Sequence, residues 1–212
     1  MNEKKGILIV VSGFSGSGKG TIMNQLLKKY PDTYALSISA TTRSPRPGEV
    51  HGKEYFFLSE KEFKDMIEGN ALLEYAQYVN HYYGTPKSYV QQQLEQGKDV
   101  ILEIEIQGAL KVKKANPDTL LLFITPPSAE ELKQRLTGRG TEEESVINSR
   151  LSRAWQEAQG VEDYDYLVVN DDLDKCVAKV HGIIQNEHDR VTRNHILIEK
   201  IRAELKCFAK GE

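Results

Sequence analysis

Nine consecutive residues, Gly13-Phe14-Ser15-Gly16-Ser17-Gly18-Lys19-Gly20-Thr21, set four glycines around a single lysine. A glycine-rich turn lets several backbone N–H groups converge on one anion. The helix start that follows adds unpaired donors and a partial positive charge, and Lys19 adds a full one. The chemistry on offer is phosphate binding, with Lys19 reaching the outer phosphates. The spacing fits G-x-x-x-x-G-K through Lys19, but Gly20 stands where a hydroxyl usually follows, and the hydroxyl arrives one place later at Thr21. The loop therefore lacks the usual hydroxyl ligand for magnesium. An ordinary strand-to-helix turn would show the same glycines, but here the apolar run Ile7-Leu8-Ile9-Val10-Val11 precedes the segment and a helical pattern, Ile22, Leu26, Leu27, follows it.

Two arginine groups extend this chemistry. Arg43 and Arg46 stand three apart in the proline-braced loop Thr41-Thr42-Arg43-Ser44-Pro45-Arg46-Pro47-Gly48-Glu49, and a guanidinium fork can bind two phosphate oxygens at once. Arg135, Arg139 and Arg150 lie on a charged helix-turn-helix excursion with Gly138 and Gly140 at its bend. There they would form a lid that neutralises charge on a transferred phosphoryl group. The alternative for the first group is a solvated surface pair, and for the second a helix face balanced by Glu142, Glu143 and Glu144. Glu103 and Glu105 are expected at the end of a buried strand, two residues apart and facing the same way. Strand ends are where open α/β sheets place ligands, so these carboxylates could hold water around magnesium or orient an acceptor; otherwise they simply reach solvent.

Positioning these groups requires a single well-cored domain, which 212 residues allow. Charged residues make up 28% and hydrophobic ones 39%, the balance of a soluble globular chain. With 28 basic against 31 acidic residues the net charge is −3, which speaks against a nucleic-acid surface. Cys176 and Cys207 lack metal-ligand spacing and read as reduced thiols. No leader and no membrane-length apolar run is visible, so a cytoplasmic enzyme is expected.

Along the chain, strands are expected over 35–39, 55–58, 72–76, 78–83, 100–105, 120–124 and 166–169. Helices are expected after the glycine loop, after the capping-box signatures Ser59-x-x-Glu62 and Ser128-x-x-Glu131, over 87–96 and 109–114, after Thr141, and through the last forty residues. The alternation gives an α/β class with a parallel sheet core flanked by helices. The aromatic strands between 39 and 90 read as a strand-rich insertion, and 131–153 as a helical lid.

Several blocks in order carry a family resemblance: Ser12 to Lys19; Ser39 to Arg46 with Gly48-Glu49; Tyr55; Glu74 with Tyr82-Tyr83-Gly84; Gln107-Gly108; Pro126-Pro127-Ser128; Arg135 with Gly138-Arg139-Gly140-Thr141; and Val169-Asn170-Asp171. Over residues 6–188 the chain resembles the guanylate kinases, P-loop enzymes of purine nucleotide metabolism. The resemblance implies transfer of the ATP γ-phosphoryl group to GMP, and to dGMP, with Mg2+ as cofactor. It assigns Gly13, Ser15, Gly16, Ser17, Gly18, Lys19, Gly20 and Thr21 to ATP. It puts Arg43, Arg46, Tyr55 and Tyr83 on the GMP phosphate, Ser39, Glu74 and Thr85 on guanine, and Glu103 with the acceptor. Catalytic roles fall to Lys19, Arg43, Arg135, Arg139 and Arg150, and magnesium is held by phosphates and water, close to Glu105. One carboxylate at position 74 can accept from guanine N1–H and the 2-amino group together, donors that adenine does not present there. The implied division is a core of 1–38, 91–130 and 154–190, a GMP-binding region of 39–90, a lid of 131–153 and a helical tail of 191–212. Four positions depart from the common pattern: Thr85 replaces a serine, Glu103 and Glu105 replace aspartates, and Gly20 replaces a hydroxyl residue. Two rivals are an adenylate kinase-like enzyme and a guanylate kinase-like module that binds phosphorylated peptides. Glu74 with the Arg43/Arg46 loop speaks against the first, and Lys19 with the lid arginines against the second.

Weaker patterns remain. His181, His188 and His195 recur every seven residues, too far apart on one helix to share an ion at about 10 Å, and are expected as a solvent-facing or interface stripe. The apolar residues Val177, Val180, Ile184, Val191, Ile198, Ile201, Leu205 and Phe208 fall near heptad spacing. They suggest either a tail packed back on the core or a helix-mediated contact between copies; the chain is a monomer or a homo-oligomer through that helix.

Overall fold

The computed structural model describes residues 5–138 and 144–209. In chain order, β1 (Leu8–Gly13) runs through the glycine loop into α1 (Lys19–Lys29) and returns as β2 (Tyr34–Leu36). Two short strands, β3 (Ala40–Thr41) and β4 (Phe56–Phe57), flank the arginine loop. Next comes α2 (Glu60–Glu68), opened by a complete capping box between Ser59 and Glu62. The hairpin β5 (Leu72–Tyr78) and β6 (His81–Pro86) leads to α3 (Lys87–Glu95) and β7 (Asp99–Glu103). Then follow α4 (Ile106–Ala115), β8 (Leu120–Thr125), α5 (Ala129–Thr137), α6 (Glu144–Ala158), β9 (Tyr166–Val169), α7 (Leu173–His188) and α8 (His195–Ala209).

Five strands form one parallel sheet in the order β2-β7-β1-β8-β9. The two-residue alternation of β1 divides the core. Ile9 and Val11 face Ile22, Met23 and Leu26 of α1 and Val177, Val180 and Ile184 of α7. Val10 faces the other way, with Val90 and Leu94 of α3 and Ala109 and Val112 of α4. Both faces are covered, which is why residues 120–124 are apolar without interruption and fully buried. Each such side chain contributes about 1.5–3 kcal/mol by leaving water. The second sheet, β4-β3-β6-β5, is mixed: β3 pairs parallel with β4 and antiparallel with β6. Its small core joins Ala40, Phe63 and Leu72.

The parallel core, the strand-rich insertion and the helix pair at 129–158 match the sequence reading, and three local expectations are corrected. The strand expected over 100–105 ends at Glu103, and Glu105 instead occupies the N-cap position of α4. Tyr78 belongs to the first hairpin strand, because the turn falls at Val79-Asn80, with Val79 at φ 49°. The histidine stripe divides: His195, the first residue of α8, is exposed as expected, whereas His181 and His188 face the core. His181 stacks on Tyr30 with ring centroids 3.8 Å apart and lies 2.6 Å from the Tyr34 hydroxyl. His188 Nε2 lies 2.9 Å from Oδ1 of buried Asp99, a carboxylate that also accepts the Ile7 N–H at 2.9 Å. Burial lowers the His181 pKa, and nearby Lys29 adds to the effect.

The tail divides at residues 189–194. The apolar face of α7 is core, whereas α8 buries no residue and leaves Leu197, Ile201, Leu205 and Phe208 exposed along one side, so the expectation of packing back on the core fails for α8. The short link matters more than the helix beyond it. Arg190 and Arg193 each reach the buried Glu187 carboxylate at 3.4 Å, and Asn194 Nδ2 donates to the His188 carbonyl at 2.8 Å, closing the end of α7. Truncation after Asn194 should therefore leave the thermal midpoint within about 2 °C. Truncation after Asp189 strands Glu187 and should cost about 1–3 kcal/mol, a fall of several degrees in calorimetry.

Candidate functional site

The glycine loop is braced from beneath. Gly18 caps α1 with φ 91° and no side-chain cap, so the first-turn N–H groups point into the loop. Asn170, just past β9, donates from Nδ2 to the Ser17 carbonyl at 2.8 Å. Arg135 Nη2 donates to the Asn170 carbonyl at 2.9 Å, its Nη1 reaches the Ser17 carbonyl at 3.5 Å, and its Nε is held by Glu131 at 2.8 Å. Phe14 packs edge-on against Phe123 of β8 at 5.0 Å and joins Leu132, Leu136, Ile147 and Leu151 of α5 and α6. Lys19 Nζ donates to the carbonyls of Gly13 at 2.6 Å and Phe14 at 3.1 Å. Burial lowers its pKa, and Glu103, Glu157 and Glu105 oppose that shift.

Lys19 opens onto a cleft of about 550 Å3. Ser12, Gly13 and Ser15 form one wall, Glu103 and Glu105 the floor beyond β7, and Arg150 and Arg153 of α6 the opposite wall. A second cleft, of about 440 Å3, adjoins it and is lined by Ser39, Tyr55, Glu74 and Tyr83. Tyr78, Glu103, Ile104, Glu105 and Arg153 border both. Burial raises the pKa of Glu103, with Lys19 opposing.

Glu74 projects from β5 into the second cleft. The Thr85 hydroxyl, itself buried, donates to Glu74 Oε1 at 2.7 Å, which fixes one oxygen and leaves Oε2 toward Gly108. A Cβ on Gly108 would lie 3.3 Å from that oxygen, so glycine keeps the approach to the carboxylate open. Burial raises the Glu74 pKa; the Thr85 hydrogen bond and the charge of Lys111 pull it back. Of the adjacent tyrosines, Tyr83 lines the cleft while Tyr82 stacks on Phe63 at 5.4 Å, as alternation along a strand requires. Arg43 lies over the Tyr55 ring at 5.4 Å, with Nη2 paired to Glu49 at 2.9 Å, a contact that raises its pKa.

Not every expected residue meets the clefts. Arg46 is exposed, and its backbone N–H is what Glu49 holds, at 2.7 Å. Gly20 and Thr21 are also exposed, on the solvent side of α1. Arg135, expected over a transferred group, is committed to the underside of the loop, because the carbonyls of Ser17 and Asn170 lie within its reach. Arg139 lies outside the described residues. Sequence reasoning gave no role to Arg153, Lys111 or Asn170. The position of Asn170 directly after the last core strand was the available signal for it; Arg153 and Lys111 carried none beyond charge.

Comparison with known proteins agrees in one direction. The family model described as guanylate kinase matches residues 5–187. A guanylate kinase of Caldanaerobacter subterraneus subsp. tengcongensis is 55% identical over 202 residues, covering 95% of this chain and 98% of that one. One from Clostridioides difficile is 51% identical over 206 residues, covering 97% and 100%. The crystal structure of guanylate kinase from Anaplasma phagocytophilum aligns at a TM-score of 0.69 with 29% identity and 90% coverage of both chains.

The brace under the loop makes a quantitative expectation. A Cβ at Gly18 would sit 2.4 Å from Asn170 Nδ2 at a backbone φ of 91°. Gly18→Ala should destabilise the fold by about 1–3 kcal/mol, read as a lower denaturant midpoint at unchanged m-value.

Proposed function

The chain belongs to the guanylate kinase family, and from that premise we propose how its residues carry the ATP-dependent phosphorylation of GMP to GDP. One observation carries the proposal: the cleft under Lys19 and the cleft holding Glu74 share a wall at Glu103–Glu105. A donor phosphate in the first and an acceptor phosphate at the edge of the second would meet there in line, and positioning of that kind removes much of the barrier.

Gly13, Ser15, Gly16, Ser17, Gly18, Lys19, Gly20 and Thr21 bind ATP, with Lys19 on its outer phosphates. Arg43, Arg46, Tyr55 and Tyr83 bind the GMP phosphate; Glu49 orients Arg43 so that the other side of its fork meets phosphate oxygens. Ser39, Glu74 and Thr85 read guanine, and Glu103 orients the acceptor. Because Thr85 occupies Oε1 and burial holds Glu74 in place, the carboxylate meets N1–H and the 2-amino group without reorganising. Residues 39–90 act as the acceptor-binding region and 131–153 as the lid. Within the lid, Arg150 and Arg139 neutralise charge on the transferred group, and Arg135 supports the loop that holds the donor. Closure excludes water that would otherwise hydrolyse ATP.

Among the described residues no three His, Cys, Asp or Glu side chains form a metal cage. The cleft offers the carboxylates of Glu103, Glu105 and Glu157, the last paired with Arg153, and position 20 has no hydroxyl. That donor set fits a Mg2+ ion that arrives on the triphosphate and keeps most of its water. Bound beside Glu103 and Glu105, it would supply charge neutralisation to the triphosphate. No helix among the described residues is long and apolar enough to cross a membrane, and Cys176 and Cys207 are free thiols; both accord with a cytoplasmic setting.

ADP formation from ATP and magnesium, with GMP, AMP, CMP or UMP as acceptor, tests the reading. Turnover should depend on GMP, and equal rates with AMP would sink the guanine assignment. Glu74→Gln should lower kcat/KM for GMP by about 30- to 1,000-fold, since a buried pairing is worth ~2–4 kcal/mol. Base reading requires ionised Glu74, whose pKa is raised, so KM for GMP should climb on acidification at a higher pH than an exposed glutamate would give. Lys19→Ala should cut kcat by at least about 100-fold while GMP affinity, followed by calorimetry, stays within a few-fold.

A further inference from the structure

Arg153 stands one turn beyond Arg150 on α6, and the reaction as described gives it no task. Its Nη2 lies 2.5 Å from Glu105 Oε1, and its Nε lies 3.2 Å from Glu157 Oε1 one turn further along the same helix. Glu105 is the N-cap residue of α4, yet its side chain makes no cap hydrogen bond. Its carboxylate reaches across to α6 instead. Arg153 also borders three clefts: the one under Lys19, the one holding Glu74, and a third of about 560 Å3 between the start of α4 and α6.

The apolar anchoring of α6 runs elsewhere. Ile147, Leu151 and Ala154 pack with Leu132 and Leu136 of α5 and with Phe14, a set that ties α6 to the glycine loop; among the described residues no hydrophobic core cluster joins α6 to the acceptor side. The Arg153–Glu105 pair supplies that second point of attachment.

We propose that Arg153 is a positioning residue for phosphoryl transfer: through Glu105 it holds α6, and with it Arg150, against the wall where the two nucleotide clefts meet. The two neighbouring glutamates then divide their work. Glu103 stays with Lys19 and the acceptor, while one oxygen of Glu105 is engaged by the lid helix. The side chains of the pair are 44% and 61% exposed, so solvent screens the contact and its loss lowers the rate several-fold rather than by orders of magnitude. Because the contact orders the closed site, the loss falls on kcat more than on KM.

The inference rests on the phosphotransfer reading, whose own failure would show first, as parent enzyme without GMP-dependent ADP formation. With an active parent, Arg153→Gln, Glu105→Gln and the double variant are compared at saturating ATP and GMP, with thermal midpoints recorded for each. Arg153→Gln should lower kcat about 3- to 10-fold with KM for GMP within about twofold, Arg153→Lys should recover part of the loss, and in the Glu105→Gln background Arg153→Gln should have no further effect. An unchanged kcat, or an equal loss whether residue 105 is Glu or Gln, overturns the proposal. If Arg153→Gln folds poorly, Arg153→Lys carries the same comparison, with the same two outcomes deciding.

Discussion

A loop that turns its N–H groups toward an anion must turn its carbonyls somewhere else, and here that somewhere is the protein interior. The Ser17 carbonyl is the group on which the arrangement depends. Buried beneath the loop, it would cost about 1–3 kcal/mol if left unpaired, and it is satisfied by Asn170 and approached by Arg135. Those two donors come from the end of the last core strand and from the first lid helix. The glycine loop is thus defined by the elements around it as much as by its own glycines: β9 reaches it through the Ser17 carbonyl, and α5 through that oxygen and through Leu132 and Leu136 against Phe14.

The same economy governs the acceptor side. Glu74 is a carboxylate in a partly dry place, and burial alone would drive it toward the neutral form. The Thr85 hydroxyl and the charge of Lys111 oppose that tendency without reversing it. Arg43 is treated in the opposite sense: its charge is secured by Glu49 and by the faces of Tyr55 and Phe57. One site is poised by weakening burial's effect on an acid, the other by anchoring a base at one end of its fork.

How much of this the sequence displayed follows from the range of each interaction. The glycine loop, the capping box at Ser59 and the apolar run at 120–124 are local patterns, and each appeared where the pattern put it. The parallel core followed from strand-helix alternation. Glu105 was misplaced because strand propensity continues through Ile104 and nothing local marks α4 as starting at Ile106. The histidine spacing misled because periodicity says which residues share a side, not what that side meets: the side bearing His181 and His188 faces Tyr34 and Asp99, 147 and 89 residues away in sequence. The Arg135 and Asn170 brace was hidden for the same reason, since it joins segments 35 or more residues apart.

The polar seam between α7 and the sheet does something the apolar core cannot. Valines and isoleucines would tolerate a helix slid by one turn, about 5.4 Å, with little change in buried area. Asp99 and Tyr34 have partners on α7 in one register only. They work as index marks, stating where along its axis the helix must stop. Since Asn170 lies three residues ahead of α7 in the chain, fixing the axial position of that helix also fixes the starting point of the segment that supports the phosphate loop, so that the far face of the molecule sets a length at the site of chemistry.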